Sequence, residues 1–445
     1  MAQQQGDNVM PFVSRYEAAR PTLPGAAQPW AAALREDGIS RFRSLGLPSR
    51  RTEAWKYTDV KALAKLDFAP APVHMNGLAA PLLGAVDAAA ADHAMVFVNG
   101  RFRPDLSRLD ALPDGATLDS TAALLDAGAA VLSDRLGRTV EADGRPFAAL
   151  NAAMMQDGFV LRLAPGTVVE RPIRVAFLTD YGGDLTVAVH SRNLIVAAAN
   201  SRATVLEVHR GRDGAAYFSN GVTELEVDDG ARLHHYKLQD EGDGAFHLAT
   251  ILARLGRDAT YDSFILSLGA GWARNDIQAL LDGPGVDCRL NGAYLGRRRQ
   301  HLDTTTVIDH AHPDCRSREV YKGVLDDRAR GVFQGKIRVR RDAQRTDGYQ
   351  LNRALLLSKG AEADCKPELE IYADDVKCSH GATVGEIDHD ALFYLRARGI
   401  GEDAARAMLI EAFLADALQE IDIEAVRDEF AGHVTGWLNA GEHAA

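Results

Sequence analysis

The chain contains 445 residues, 46% of them hydrophobic and 25% charged, so it can bury a large core and is typical of a globular protein with two or three domains. A formal net charge of −12 argues against a general nucleic-acid-binding protein, which needs a basic surface. No charged segment followed by an apolar run opens the chain, and no apolar stretch reaches the length of a membrane helix, so we expect a cytoplasmic protein without a membrane partner.

Cysteine usage fits a reducing compartment. Four cysteines in so long a chain are too few for a disulfide scaffold, so each is expected to be a free thiol or a ligand. None forms a CxxC pair, which argues against a preformed structural zinc site or a ferredoxin-type site. The four are Cys288, Cys315, Cys365 and Cys378.

The first part of the chain, residues 1–157, is expected to be mostly helical, because it is rich in alanine and leucine and is broken by proline and glycine. Pro29 suits a first helical turn and Gly46 suits a C-cap, which predicts a helix between them. Residues 75–92 are so rich in alanine, glycine and proline that they predict a flexible connection. Ala94–Phe102 is typical of a strand that ends in an Asn-Gly turn.

Residues 158–386 are expected to form a β region, because short alternating strands there meet at turn residues and recur. Aligned by their small residues, four segments place matching positions 28, 28 and 27 residues apart. The pattern weakens through residues 297–328 and returns at residues 353–372. The matched positions are Ala203, Ala231, Ala259 and Val286.

A near-constant period of strand, turn and strand favours a β-solenoid, in which each coil covers the apolar face of its neighbour. A β-sandwich of meandering hairpins would show similar alternation, although it does not require a fixed repeat of this length. Residues 387–445 return to helix, with Asp388 as a candidate N-cap and two amphipathic helices with acidic outer faces after Gly401. This helical end would close the last coil of a solenoid or dock a partner.

One candidate site lies in the segment DDVKCSHGATVG, Asp374–Gly385. Residues two apart share a face of a strand, so Cys378 and His380 are neighbours on a face that is otherwise apolar. They could be packed residues, since free cysteine is among the most buried types, or donors for iron or zinc. Two ligands do not complete a site, so a metal there needs donors from elsewhere in the chain or from a partner subunit.

A second candidate site contains His310 and His312, which share a face if the chain is extended, followed by Cys315. A mononuclear metal site would fit these donors, but Pro313 breaks the strand and the spacing matches no strong ligand signature, so a polar turn is the alternative. The sequence has no GxSxG elbow, no GxxxxGK[ST] phosphate loop and no GxGxxG after a strand.

Three segments carry a resemblance to a known family. Lys366–Ile400 (KPELEIYADDVKCSHGATVGEIDHDALFYLRARGI) resembles the core signature of the SufB/SufD family, the scaffold proteins of the SUF system for iron-sulfur cluster assembly. Glu319–Val339 resembles the block that precedes this signature. Arg50–Val60 (RRTEAWKYTDV) is similar to the N-terminal signature of the SufD branch rather than the SufB branch.

This resemblance implies a mixed, mainly β fold in which a central right-handed parallel β-helix, residues 158–386, lies between an N-terminal helical region, residues 1–157, and a C-terminal helical domain, residues 387–445. It also implies a non-catalytic scaffold that pairs with SufB, docks the ATPase SufC through its C-terminal helices, and supports cluster transfer to acceptor apoproteins. The alternatives are a SufB-like scaffold with the principal sulfur-accepting cysteine, and a β-solenoid polysaccharide hydrolase or lyase.

For the site, the resemblance implies that Cys378 and His380 lie near the SufB interface and hold a transient iron-sulfur cluster that SufB shares. A cluster that must be released is expected to have few, exchangeable ligands. Flavin has been associated with such complexes, but no segment here shows a flavin fingerprint. Cys288, Cys315 and Cys365 have no place in the matched motif, and Cys365 is expected to be structural.

Overall fold

In a computed structural model of the chain, the described residues are 2–70, 82, 93–109, 112–140, 144–181 and 186–442. They form a mainly β structure with helices near both ends. The connection expected at residues 75–92 lies, apart from Leu82, outside the described residues. Among the described helices, none is long and apolar enough to cross a membrane.

The helices before the main β region include the predicted one, which begins at Pro29 and ends before Gly46, where a φ of +68° suits glycine. Residues 49–66, which follow this helix, form only a 3-10 turn, Glu53–Trp55, and one short helix, Lys61–Ala64. The N-terminal helices are α1 Ala2–Ala19, α2 Pro29–Leu45, α3 Lys61–Ala64, α4 Thr121–Asp126, α5 Ala130–Arg135 and α6 Pro146–Met154. The C-terminal helices are α7 His389–Arg396, α8 Glu402–Leu418 and α9 Glu424–Glu442.

The strands begin within the N-terminal part of the chain and continue to Gly385. The early ones are β1 Phe68–Pro70, β2 His93–Val98, β3 Arg101–Phe102, β4 Ala116–Ser120, β5 Phe159–Leu163, β6 Ile173–Thr179, β7 Thr186–Val189 and β8 Arg192–Ala197. The later ones are β9 Arg202–Gly211, β10 Tyr217–Val227, β11 Arg232–Asp240, β12 Ala245–Leu255, β13 Thr260–Ser267, β14 Trp272–Leu281, β15 Asp287–Gly296, β16 His301–His310, β17 Arg316–Leu325, β18 Arg330–Val339, β19 Thr346–Leu356, β20 Glu362–Ile371 and β21 Val376–Gly385.

The strands form two sheets, and from β8 onward each strand pairs with the strand two places along the chain. Sheet A runs β20-β18-β16-β14-β12-β10-β8-β5-β4, and sheet B runs β21-β19-β17-β15-β13-β11-β9-β6-β2-β3. Strands β1 and β7 also belong to sheet A, where β7 pairs with β1 and β10. From β8 and β9 onward all of these pairings are parallel. Meandering hairpins would give antiparallel neighbours, so this is the predicted β-solenoid and not a sandwich.

At one corner of the solenoid, each successive coil has a residue with a positive φ. Each donates its backbone N–H to a carbonyl of the next coil, as Asp258 does to Pro284 at 2.9 Å, which fixes the spacing of the coils. These positions are mostly glycine, asparagine and aspartate, the residue types that adopt positive φ most readily. They are Asn200, Gly230, Asp258, Gly285, Asp314 and Arg345.

The predicted repeat is correct for Ala231, Ala259 and Val286, which directly follow these corner residues, but wrong for Ala203. Ser201 occupies that place, because Arg232 N donates to Ser201 O, and Ala203 pairs instead with Leu233. The first interval is therefore 30 residues, not 28. The solenoid also continues without interruption through residues 297–328, as β16 and β17.

Three apolar layers hold the structure together. One lies between the two sheets and contains Phe159 and Leu225 among others. A second packs the N-terminal helices on the outer face of sheet A, and a third packs the C-terminal helices on the outer face of sheet B, with Phe430 buried near Phe264. The helices thus cover the two sides of the solenoid.

The C-terminal helices do not close the last coil, so that expectation from the sequence is wrong. Their apolar stripes pack against the outer face of sheet B. Acidic residues of α8 and of the loop after it form ion pairs with basic residues of the strands. Arg318 bonds Glu420 at 2.8 Å and Lys322 bonds Asp416 at 2.7 Å. Strands β20 and β21 consequently remain the edges of their sheets.

Candidate functional site

The candidate site lies on β21, the edge strand of sheet B at the open end of the solenoid. The predicted strand is present, and its parity places Cys378 and His380 on the face that continues the interior of the solenoid. Cys378 is half-buried and His380 is exposed, because no further coil among the described residues covers them. The pair is therefore open to a second protein.

Cys378 lies over a space left by a glycine. It pairs with Gly348 of β19, and a Cβ added to Gly348 would approach Cys378 Sγ to 3.3 Å. The thiol also packs beside the apolar cluster of Ile337. Burial raises the pKa of the Cys378 thiol, so it is mainly protonated at neutral pH and a bound metal would have to displace the proton.

Polar residues continue from the open end into the solenoid. His380 pairs with Gln350, which is fully buried, and Gln350 Nε2 donates to the buried carboxylate of Glu319 on β17. Burial raises the pKa of Glu319 to about 7. His380 thus lies above a column of polar residues, whereas Cys378 packs beside an apolar cluster.

Glu319→Gln is expected to stabilise the protein near pH 8 and to leave it nearly unchanged near pH 5. The folded state binds the Glu319 proton more tightly than the unfolded chain does, because the pKa of Glu319 is raised on folding. The stability that protonated Glu319 contributes is therefore present below the ordinary carboxyl pKa and is lost as the pH rises through about 7. A neutral glutamine avoids this loss, worth up to about 3 kcal/mol. Thermal melting at the two pH values measures the difference. The exposed Glu386→Gln serves as control, and an equal gain at both pH values would contradict this account.

Cys365 is a residue that the sequence did not connect with the site. It lies on β20, in the same last coil, and its thiol donates to Asn352 Oδ1 at 2.8 Å. Burial raises the pKa of Cys365 to about 11. The signal that could have revealed it is the strand register, because Cys365 pairs with the buried Phe333 and so faces the interior.

The structure gives His310 and His312 different surroundings. His310 ends β16, is buried, and its Nε2 lies 2.9 Å from Ser317 Oγ, while burial lowers its pKa to about 4. His312 lies in the following turn, with Nε2 3.5 Å from Asp282 Oδ1. Cys315 is buried and its thiol donates to Gly283 O. A metal role for the two histidines stays a prediction from the sequence.

The SufD-like segment Arg50–Val60 packs against sheet A. Trp55 is buried and stacks on Trp272, with ring centroids 6.4 Å apart, and the guanidinium of Arg274 lies 4.1 Å from the Trp55 ring centroid. The carboxylate of Asp303 accepts hydrogen bonds from both Thr58 Oγ1 and Arg274 Nη1. This segment therefore joins the N-terminal region to the solenoid.

Comparison with known proteins agrees with these features. The family model "SUF system FeS cluster assembly, SufBD core domain" matches residues 178–413, and the model "SufBD protein N-terminal region" matches residues 8–175. The iron-sulfur cluster assembly protein SufD of Escherichia coli is 33% identical over 436 residues, which cover 95% of this chain and 99% of that protein.

Two further relatives are similar over most of their length. The iron-sulfur cluster assembly SufBD family protein slr0076 of Synechocystis is 32% identical over 402 residues, which cover 88% of each chain. The chloroplastic protein ABCI7 of Arabidopsis thaliana is 28% identical over 412 residues, covering 91% of this chain and 86% of that protein. The chain belongs to the SufBD family of the SUF system for iron-sulfur cluster assembly.

Proposed function

We propose that the chain is a SufD-like, non-catalytic scaffold subunit that pairs with SufB, docks the ATPase SufC and supports the transfer of iron-sulfur clusters to acceptor apoproteins. The observation that carries this proposal is the open last coil, where Cys378 and His380 lie on an uncovered edge strand. The relative named SufD in Escherichia coli, which matches almost end to end, supports the SufD-like role over a SufB-like one.

The cluster is cargo in this proposal and not a resident cofactor. Cys378 and His380 would supply a thiolate and an imidazole, both suited to iron, and SufB would supply the remaining ligands across the interface. A site divided between two subunits releases its cluster when the interface opens. We assign no flavin-binding residues, since no described feature points to them.

The interface with SufB is proposed to be the edge of the last coil. An edge strand presents unpaired N–H and C=O groups that recruit another strand, and here it also exposes apolar side chains. Ile371 is 41% exposed, Tyr372 59% and Val384 45%. Their burial by a second solenoid would join two β-helices end to end.

The docking site for SufC is proposed to lie on the C-terminal domain, residues 387–445. This domain packs on sheet B of the solenoid core, residues 158–386, on the side opposite the helices of the N-terminal region, residues 1–157. The apolar stripes of α8 and α9 are already used against sheet B, so they are not available to a partner. Phe393 and Tyr394 on α7 and Met408 on α8 remain exposed, with Phe393 at 74%. An exposed apolar group of this kind is typical of a protein-binding surface.

Co-expression with SufB and SufC, affinity purification through this chain and anaerobic absorbance spectroscopy test the proposal together. The wild type is expected to retain both partners and a cluster absorbance. Tyr372→Asp is expected to lose SufB selectively and Phe393→Asp to lose SufC selectively, because each places a charge at one proposed interface. Asp390→Ala, an exposed change near Phe393, serves as a matched control. Retention of both partners by both aspartate variants would show that the surfaces are assigned wrongly, and failure of the wild type to retain SufB would contradict the proposed function.

A further inference from the structure

A group of potential metal ligands lies away from the last coil, where the C-terminal helices meet sheet B. His234 on β11 and Asp262 on β13 are direct partners in the parallel register, so their side chains stand beside each other on the outer face. Asp422, from the loop between α8 and α9, approaches the same place. One ligand atom of each residue lies within 4.8 Å of the other two. Three separate elements thus converge on one point.

Asp262 is the most informative member of this group. Its side chain is 1% exposed, yet its Oδ1 has no hydrogen-bond partner among the described residues. A buried carboxylate oxygen normally has a partner, because leaving it unpaired costs free energy. The other oxygen, Oδ2, accepts a hydrogen bond of 2.8 Å from Tyr236 and lies 3.9 Å from His234 Nδ1.

We propose that His234, Asp262 and Asp422 bind a divalent transition-metal ion that links the solenoid to the C-terminal helices. One imidazole nitrogen and two carboxylate oxygens suit Zn²⁺ or Fe²⁺ better than Ca²⁺, which takes six or more oxygen ligands. Tetrahedral bonds of the usual length separate donor atoms by about 3.4 Å, so the donors must move together slightly. Asp422 has a side chain 52% exposed on a loop, so it can rotate toward the ion and leave a position for water.

Positively charged and hydrogen-bonding side chains near the site would compete with a metal ion for its ligands. Arg289 Nη1 lies 3.5 Å from Asp422 Oδ2, and its Nη2 lies 3.3 Å from Asp287 Oδ2. Tyr236 also shares the space, since its hydroxyl oxygen is 3.1 Å from His234 Nδ1. Arg289 is therefore the cation that occupies the neighbourhood of these carboxylates without a metal, and removing it should favour binding.

The test uses the full chain carrying Cys378→Ser and His380→Ala, so that metal at the last coil does not contribute. Isothermal titration with Zn²⁺, and dialysis followed by metal analysis, are expected to show one ion per chain. Adding His234→Ala or Asp422→Ala should weaken binding at least tenfold, while Arg289→Ala should tighten it about fivefold by removing a competing cation. Zn²⁺ should also raise the melting temperature of the parent, because a ligand of the folded state stabilises it.

Glu420→Gln is the matched control, because Glu420 is an acidic neighbour in the same loop that pairs with Arg318 instead. Its affinity for Zn²⁺ should equal that of the parent. Circular dichroism checks that each variant folds, and Arg289→Ala provides a reading that does not depend on losing a ligand. No binding by the parent, or binding unchanged by both ligand replacements, would overturn the site. Neither partner protein is present, so this outcome is independent of the proposed function.

Discussion

Asp303→Ala is expected to destabilise the protein by about 3–5 kcal/mol, the usual cost of removing one partner of a buried ion pair. Arg274 is 0% exposed and its Nη1 donates to Asp303, while its next carboxylate, that of Asp276, is 3.7 Å away. Without Asp303 the guanidinium stays buried beneath Trp55 and keeps only the more distant carboxylate of Asp276 as a counter-charge. Thr58 Oγ1 loses one of its two partners at the same time and keeps His301 Nε2 at 2.9 Å, so the contact between the N-terminal segment and sheet A should weaken.

Urea unfolding followed by tryptophan emission measures this effect, because Trp55 and Trp272 are stacked at this contact and are two of the four tryptophans. Limited proteolysis is expected to cleave Arg50–Val60 in the variant before it cleaves the solenoid. Asp105→Ala removes the partner of an exposed arginine and should change the unfolding curve little. A curve for Asp303→Ala that matches this control would show that the buried pair contributes nothing.

Cys378→Ser combined with His380→Ala is expected to leave folding and complex formation intact and to lower cluster retention by about tenfold or more. The first expectation follows from exposure, since His380 is exposed and Cys378 only half-buried on an edge strand. The second follows from the donor chemistry, because the variant removes both donors this chain would contribute and serine is a poor ligand for iron. Anaerobic reconstitution with SufB, SufC, iron and a sulfur donor measures the cluster by absorbance.

Two control variants separate ligand loss from damage to the strand. Ser379→Ala changes the opposite face of β21, and His389→Ala removes an exposed histidine outside the strand; both should retain the cluster. Cys365→Ser tests whether the third residue of the last coil is structural, as the sequence suggested. If the double variant assembles clusters to the same extent as these controls, Cys378 and His380 are packed residues and not cluster ligands.

Local patterns were sufficient for most of the architecture. Strand alternation, turn residues and a near-constant spacing predicted the solenoid, because each coil repeats the same local requirement. These patterns misplaced Ala203. A coil that is two residues longer has the same alternation of side chains, so the alternation does not reveal the difference in length. The Cys378 and His380 pair was predicted for the same reason, since strand parity is a local property.

The tertiary structure decided the features that depend on distant residues. The amphipathic stripes of α8 and α9 are visible in the sequence, but the same stripes fit an end cap, a partner or the side of a sheet, and only the packed structure places them on sheet B. Register likewise brings Cys365 into the last coil and sets His234 beside Asp262, with Asp422 arriving from the helices. Local sequence thus determined which strands and helices form and which residues share a face, whereas long-range packing alone decided which faces are covered and which donor atoms meet.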